Sequence, residues 1–126
     1  MLGQIDHIDI VVADPQAMAS FLESLGFVRL RDTGGGRGSV ELRCPGDGDQ
    51  PFIELTPANT GTGVNRPLGL RHIALRASDL DSAFAALSDK GYLTDAPPRE
   101  IAATGRRLFN LTDPEGNSLQ VVSAPE

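Results

Sequence analysis

The chain has 126 residues, of which 40% are hydrophobic and 22% charged, and its formal net charge is −6. These values are ordinary for a soluble globular protein, and the negative charge disfavours nucleic acids and anionic membranes as partners. Its apolar runs are too short to span a membrane, and the start MLGQIDHIDI lacks the features of a secretory signal. A single cysteine, Cys44, excludes an intramolecular disulfide, so we expect a cytoplasmic protein.

The first predicted element is a strand in the segment DHIDIVVAD, residues 6–14. Side chains alternate between the two faces of a strand. The apolar side chains suited to lie under a helix are Ile8, Ile10 and Val12. The opposite face carries His7, Asp9 and Val11. We therefore expect a histidine on the face that no helix covers.

A helix and three short strands follow the first strand. The segment DPQAMASFLESLG has Asp14 as its expected N-cap and Gly26 just past its end. Helical spacing predicts a buried stripe of Met18, Phe21, Leu22 and Leu25. Strands are predicted at 27–31, 39–44 and 52–56. In the last of these, Glu54 projects to the same open face as His7.

The second half of the chain repeats the first after a linker. The segment RHIALRASD aligns with the first strand so that His72 falls 65 positions after His7. A second helix is predicted between Asp79 and Gly91, with a buried stripe of Leu80, Ala83, Phe84 and Leu87. Strands are predicted within 99–102 and at 107–111 and 118–123. In the last strand, Gln120 takes the place that Glu54 has in the first half.

This element order predicts an α+β fold built from two tandem βαβββ modules. We expect a single domain over residues 1–126, with the first module at about 4–57, a linker at 58–68 and the second module at about 69–124. Helices would cover the outer face of a curved, cup-like mixed sheet. Whether the two modules pair within one chain or swap between two chains is left open by the sequence.

The repeat brings a candidate metal-ligand set to the open face. Its members are His7, Glu54, His72 and Gln120. A carboxylate within an apolar strand is costly without a cationic partner, which favours a ligand role for Glu54. Two imidazoles, a carboxylate and an amide suit a five- or six-coordinate Ni, Co, Mn, Fe or Zn ion. The competing interpretation is a group of polar residues on a half-buried sheet.

Four further side chains are candidates to orient a polar substrate in the cup. They are Asp9, Arg76, Arg107 and Asn110. The alternative interpretation is that they are ordinary charged and polar groups near a rim. Since metal binding requires neutral imidazoles, we also expect the metal to be lost below about pH 6.

The chain resembles the glyoxalase/bleomycin-resistance/extradiol-dioxygenase group, also called the vicinal oxygen chelate superfamily. The resemblance is carried by DHIDIVVAD, FIELTP, RHIALRASDLDSAFAALSDKG and LFNLTDPEGNSLQVV, which together span nearly the whole chain. It implies that the first, fourth, fifth and eighth strands each supply one ligand to a divalent ion, here His7, Glu54, His72 and Gln120. The usual last ligand is a glutamate, and Gln120 departs from that pattern.

The resemblance implies three functions. The first is a metal-dependent glyoxalase-like lyase or isomerase, or an epimerase, in which Glu54 moves a proton on a carbon beside a carbonyl of a small oxygenated metabolite. The second is a non-catalytic protein of the bleomycin-resistance type that binds a drug or metabolite. The third is an extradiol-type dioxygenase, which Gln120 disfavours. The residues favour an enzyme, and the resemblance implies a homodimer.

Overall fold

The computed structural model describes residues 2–32, 38–59, 61, 63–92, 94, 96–102 and 104–124. Its elements, in chain order, are β1 (Leu2–Val12), α1 (Pro15–Ser24), β2 (Val28–Asp32), β3 (Val40–Arg43), β4 (Phe52–Pro57), β5 (Gly69–Ala77), α2 (Leu80–Asp89), β6 (Arg99–Glu100), β7 (Arg107–Thr112) and β8 (Ser118–Ser123). The eight strands form one mixed sheet in the order β2-β3-β4-β1-β5-β8-β7-β6. The predicted α+β fold of two tandem βαβββ modules is confirmed. In the part of the chain that is described, no helix is long and apolar enough to cross a membrane.

Contacts divide the chain into two compact units. The first unit is residues 7–71, and the second unit is residues 1–6 together with 72–126. The predicted module boundaries at 4–57 and 69–124 remain a prediction. The boundaries between the two units lie within β1 and β5, so each of these strands contributes residues to both units.

In the first unit, residues 7–12 of β1 pair in parallel with β4, which pairs antiparallel with β3. Strand β2 pairs antiparallel with β3, with an irregular register between Arg29 and Arg31. Helix α1 packs on one face of these strands around a core of Ala19, Leu22, Val40, Leu42 and Leu55. Ile10 and Val12 pack against the same core, so His7 and Asp9 lie on the opposite, open face.

The second unit repeats this arrangement. Strand β5 pairs in parallel with β8, which pairs antiparallel with β7. Helix α2 covers one face with a core of Ala77, Leu80, Ala83, Leu87, Phe109 and Val121. Strand alternation then places His72 and Gln120 on the face that α2 leaves open.

Both helices begin and end as the sequence predicts. Asp14 Oδ1 accepts a 3.0 Å hydrogen bond from the Ala17 amide, and Asp79 Oδ1 accepts one of the same length from the Ser82 amide. Each bond satisfies an amide that has no partner within the helix. After α1, Gly26 has a φ of 101°, a conformation that glycine adopts without steric strain.

The predicted stripe of α1 is wrong at two of its four positions. Phe21 is 56% exposed and Leu25 is 58% exposed, whereas Ala19 is fully buried. The helix ends at Ser24, so Leu25 no longer follows the helical spacing. Phe21 lies about 100° around the helix from Leu22, outside the stripe that Ala19 and Leu22 form. The stripe predicted for α2 is confirmed at each of its positions.

Candidate metal centre

In the first unit, His7 and Glu54 face each other from neighbouring strands. His7 Nε2 lies 3.6 Å from Glu54 Oε2, and the histidine is 6% exposed. The imidazole stacks on the ring of Phe52, with the ring centroids 4.8 Å apart and the planes 23° apart. Since Phe52 lies opposite His7 in the parallel pairing, the strand register itself holds the imidazole toward Glu54.

The environment of Glu54 favours its neutral form. Burial raises the pKa of the Glu54 carboxyl to about 7, and the charges of Asp9 and Glu41 act in the same direction. The nearby His7 opposes this rise in the pKa of Glu54. A cation beside a carboxyl group with a raised pKa stabilises its ionised form.

Asp9 lies beside Glu54 and is fully buried. The two residues are opposite one another in the parallel pairing of β1 with β4. Asp9 Oδ1 accepts a 2.7 Å hydrogen bond from the Thr56 hydroxyl, and Asp9 Oδ2 accepts a 3.1 Å bond from Arg71. From the sequence, Asp9 is expected to line the cup and orient a polar substrate; the structure places it fully buried beside Glu54, and that role remains a prediction.

Glu41 is a further carboxylate on the open face, and the sequence analysis did not identify it. It lies opposite Glu54 in the antiparallel pairing of β3 with β4, and its side chain is 20% exposed. Arg31 Nε approaches Glu41 Oε2 at 3.8 Å. The alternation of Glu41 with the buried Val40 and Leu42 was the signal in the sequence that could have revealed it.

In the second unit, the corresponding positions carry a histidine and two amides. His72 is 6% exposed and Gln120 is 9% exposed. Gln120 Nε2 donates a 3.3 Å hydrogen bond to Asn110 Oδ1, and the two residues are opposite one another in the β7–β8 pairing. This bond leaves Gln120 Oε1 as the atom able to bind a cation.

In the first unit, His7 and Glu54 offer a nitrogen and a carboxylate oxygen that are close enough to bind one ion. Ligands bound to one ion at about 2.1 Å are at most roughly 4.2 Å apart, and the 3.6 Å between His7 Nε2 and Glu54 Oε2 lies within that limit. A nitrogen and a carboxylate oxygen are donors that divalent transition metals accept.

Arg76, an expected substrate contact, is held in a buried ion-pair network. Its Nε donates a 2.8 Å hydrogen bond to Asp6 Oδ1. Arg106 also binds Asp6, through two bonds of 3.0 and 2.8 Å. Asp6 is 1% exposed, so the two guanidinium groups compensate its charge. The guanidinium of Arg76 therefore neutralises a buried acid, and its expected part in orienting a polar substrate remains a prediction.

Arg107 lies on the helix-covered face of the second unit. It shares that face with Phe109, two residues along β7, which packs in the core under α2. Its guanidinium donates two 3.0 Å hydrogen bonds to Asp81 in the first turn of α2. This placement corrects the expectation that Arg107 lines the open face. The pair is exposed, so it contributes little to stability.

The chain is similar to known proteins in sequence and in fold. A profile of the Glyoxalase/Bleomycin resistance protein/Dioxygenase superfamily matches residues 4–121. The uncharacterized protein YwkD of Bacillus subtilis (strain 168) is 30% identical over 125 residues, which cover 96% of this chain and 97% of that protein.

Solved structures of methylmalonyl-CoA epimerases have the same fold. One in complex with methylmalonyl-CoA and NH4+ superposes with a TM-score of 0.80 at 25% identity, covering 98% of this chain and 96% of that one. A variant of the Streptomyces coelicolor enzyme in complex with 2-nitronate-propionyl-CoA gives a TM-score of 0.79 at 26% identity, with the same coverage. Since the family profile spans most of its length, the chain belongs to the glyoxalase/bleomycin resistance protein/dioxygenase superfamily.

Proposed function

We propose that the protein is a metal-dependent enzyme of the epimerase or glyoxalase-like lyase/isomerase type. It would move a proton on a carbon beside a carbonyl of a small oxygenated metabolite. Superfamily members typically bind a divalent metal. The observation that carries the proposal is the 3.6 Å approach of His7 Nε2 to Glu54 Oε2, two of the four expected ligands, on the open face of the first unit.

In this proposal His7, Glu54, His72 and Gln120 hold the ion. The bound ion supplies Lewis-acid stabilisation of negative charge that develops on substrate oxygens. The stacking of His7 on Phe52 keeps one imidazole oriented, which limits the reorganisation needed on binding. The bond from Gln120 to Asn110 orients the amide so that its oxygen is available.

Glu54 is the proposed base. In the metal-free protein burial raises the pKa of the Glu54 carboxyl to about 7, and a bound cation would favour the ionised form, which is the form that accepts a proton. Its side chain is 24% exposed on the open face, so a substrate can reach it. Gln120 cannot exchange a proton, so the second unit offers no base at the position that matches Glu54.

Glu41 has a carboxyl group that can exchange a proton, which the amide of Gln120 cannot do, so it would allow chemistry with two bases. It lies on the strand next to Glu54 and is partly exposed on the same face. An epimerase that removes a proton from one side of a carbon and returns it on the other uses two acid–base groups. In this proposal Glu41 is the second acid–base group.

We also propose that the protein acts as a cytoplasmic homodimer. Strand β2 is an edge strand of the sheet, and edge strands are available for pairing with another chain. Val28 and Leu30 on this strand are exposed, as are Phe21 and Leu25 on the adjoining helix segment. A second copy of the chain would cover these side chains. Light scattering during gel filtration would give the mass of the assembly.

The test of the metal proposal is the metal content of the purified protein. Protein prepared without chelator should contain close to one divalent ion per chain, and His72→Ala should remove it. A matched control is Asp81→Ala, which lies in the exposed ion pair with Arg107. Absence of metal from every preparation would contradict the proposal and favour a small-molecule binding protein.

The test of the reaction is proton exchange with solvent. Wild-type protein and methylmalonyl-CoA, the ester bound by a similar epimerase, would be incubated in D2O. Proton NMR should show loss of the signal at the carbon between the two carbonyls. Glu54→Gln should abolish this exchange. If only Glu41→Gln abolished it, Glu41 would be the sole base and the assignment of Glu54 would be wrong.

A further inference from the structure

Burial of the Asp9 carboxylate costs free energy, and the duplicated fold does not require a carboxylate at this position. Within the first unit its two carboxylate oxygens are bound by Thr56 and Arg71, and none of its surface is exposed. Removing a carboxylate from water costs more than such partners generally return. A fold that needed only stability would be served as well by apolar side chains at these positions.

The second unit shows that apolar side chains do suffice there. Ala74 lies 65 positions after Asp9, as His72 does after His7, and Val122 lies 66 positions after Thr56, as Gln120 does after Glu54. Ala74 and Val122 are buried together in an apolar cluster with Leu108. The repeat therefore keeps its histidines but carries a buried carboxylate at this position in the first unit alone. This difference points to a role beside Glu54.

We infer that Asp9 is a positioning residue for Glu54 and strengthens metal binding by placing a second negative charge beside it. The inference rests on the proposed function. Asp9 and Glu54 are opposite one another on strands that lie about 4.8 Å apart. Thr56 and Arg71 hold the Asp9 carboxylate in place, so its charge acts from a fixed point. Groups in contact with a metal ligand orient it and tune its affinity in this way.

The test is the affinity of the metal-free protein for Co²⁺, followed by its visible absorption spectrum. Asp9→Asn should weaken Co²⁺ binding by about 10- to 100-fold, the range expected for a partner of a metal ligand. The variant should fold, because the Thr56 hydroxyl can still donate to the amide oxygen. Arg71 would be left in contact with solvent, since its side chain is already 40% exposed.

Asp6→Asn is the matched control. Asp6 is also buried on β1, but its carboxylate is bound by Arg76 and Arg106 and does not lie opposite a residue of β4, as Asp9 lies opposite Glu54. Its replacement should lower stability while leaving Co²⁺ affinity within about threefold of the wild type, a margin set by the usual context dependence of such effects. Equal losses of affinity in the two variants would show that Asp9 has only a structural role and would overturn the inference.

Thr56 offers a second, milder variant. Thr56→Val keeps the shape but removes the donor to Asp9, so Co²⁺ affinity should fall, and Thr56→Ser should restore it. Unchanged affinity in both Thr56→Val and Asp9→Asn would overturn the inference and leave the metal site intact. Failure of the wild type itself to bind Co²⁺ would instead overturn the proposed function and the inference with it.

Discussion

Glu54 is held where burial and two neighbouring carboxylates all oppose its ionisation. Its pKa is raised to about 7 by burial, by Asp9 and by Glu41, with only His7 acting in the opposite sense. In an unfolded chain the same group would be ionised well below neutral pH. The free energy of folding and the affinity for a cation must therefore both depend on pH through this residue.

The first prediction concerns the stability of the metal-free protein. Below about pH 4.5 Glu54 is protonated in both the folded and the unfolded state, so it costs nothing. As pH rises toward 7 the unfolded state ionises first, and stability falls by on the order of 3 kcal/mol by pH 8. Glu54→Gln should remove this loss, as urea unfolding with chelator at several pH values would show. Parallel stability curves for the two proteins would contradict the prediction.

The second prediction concerns the pH dependence of metal binding. A proton on Glu54 competes with a cation, so Co²⁺ affinity should rise between about pH 5.5 and 7.5 and then level off. From the histidines alone, the metal is expected to be lost below about pH 6. Because the pKa of Glu54 is raised, the loss of metal should begin at a higher pH than that. Calorimetry in buffers of different ionisation enthalpy should detect proton release at pH 6. Equal affinities at the two pH limits would refute this account.

At the scale of elements, the prediction of α1 shows what helical spacing can and cannot determine. The spacing identified Met18 and Leu22 as core residues, and Asp14 and Gly26 as the boundaries. It could not determine which apolar residue at the margin of the stripe reaches the sheet, because that depends on the packing of β3 and β4 against the helix. Leu25 was assigned to the stripe, although the helix stops one residue before it.

The third prediction compares two leucines of this segment. Leu22→Ala should destabilise the protein by about 2–4 kcal/mol, because Leu22 is 9% exposed and its removal leaves a cavity in the core. Leu25→Ala should cost less than about 0.5 kcal/mol in the monomer, as expected for a surface position, and more in the proposed dimer, which would cover Leu25. Thermal unfolding of both variants in chelator measures the difference. Similar losses in the two would mean that Leu25 is covered, as it would be in a dimer.

At the scale of the whole molecule, the sequence predicts the fold better than it predicts the site. The repeat of strands and helices follows from local alternation and spacing, which are visible in a single chain. The open-face positions of His7, Glu54, His72 and Gln120 follow from the same alternation. The partners of the arginines do not, because Arg76 and Arg107 find their carboxylates, Asp6 and Asp81, far along the chain. Alternation along β3 indicates that Glu41 faces away from the core, but its position opposite Glu54 follows only from the strand register.

The last prediction is that metal binding stabilises the whole chain. The expected ligands His7, Glu54 and His72 are distant in sequence, so an ion should bind the folded state and hardly bind the unfolded one. At a concentration 100 times the dissociation constant, this adds about 2.7 kcal/mol of stability and raises Tm by several degrees. Chelator should reverse the shift, which calorimetry measures. His72→Ala should unfold at the same temperature with and without metal, and a persistent shift in this variant would place the ion elsewhere.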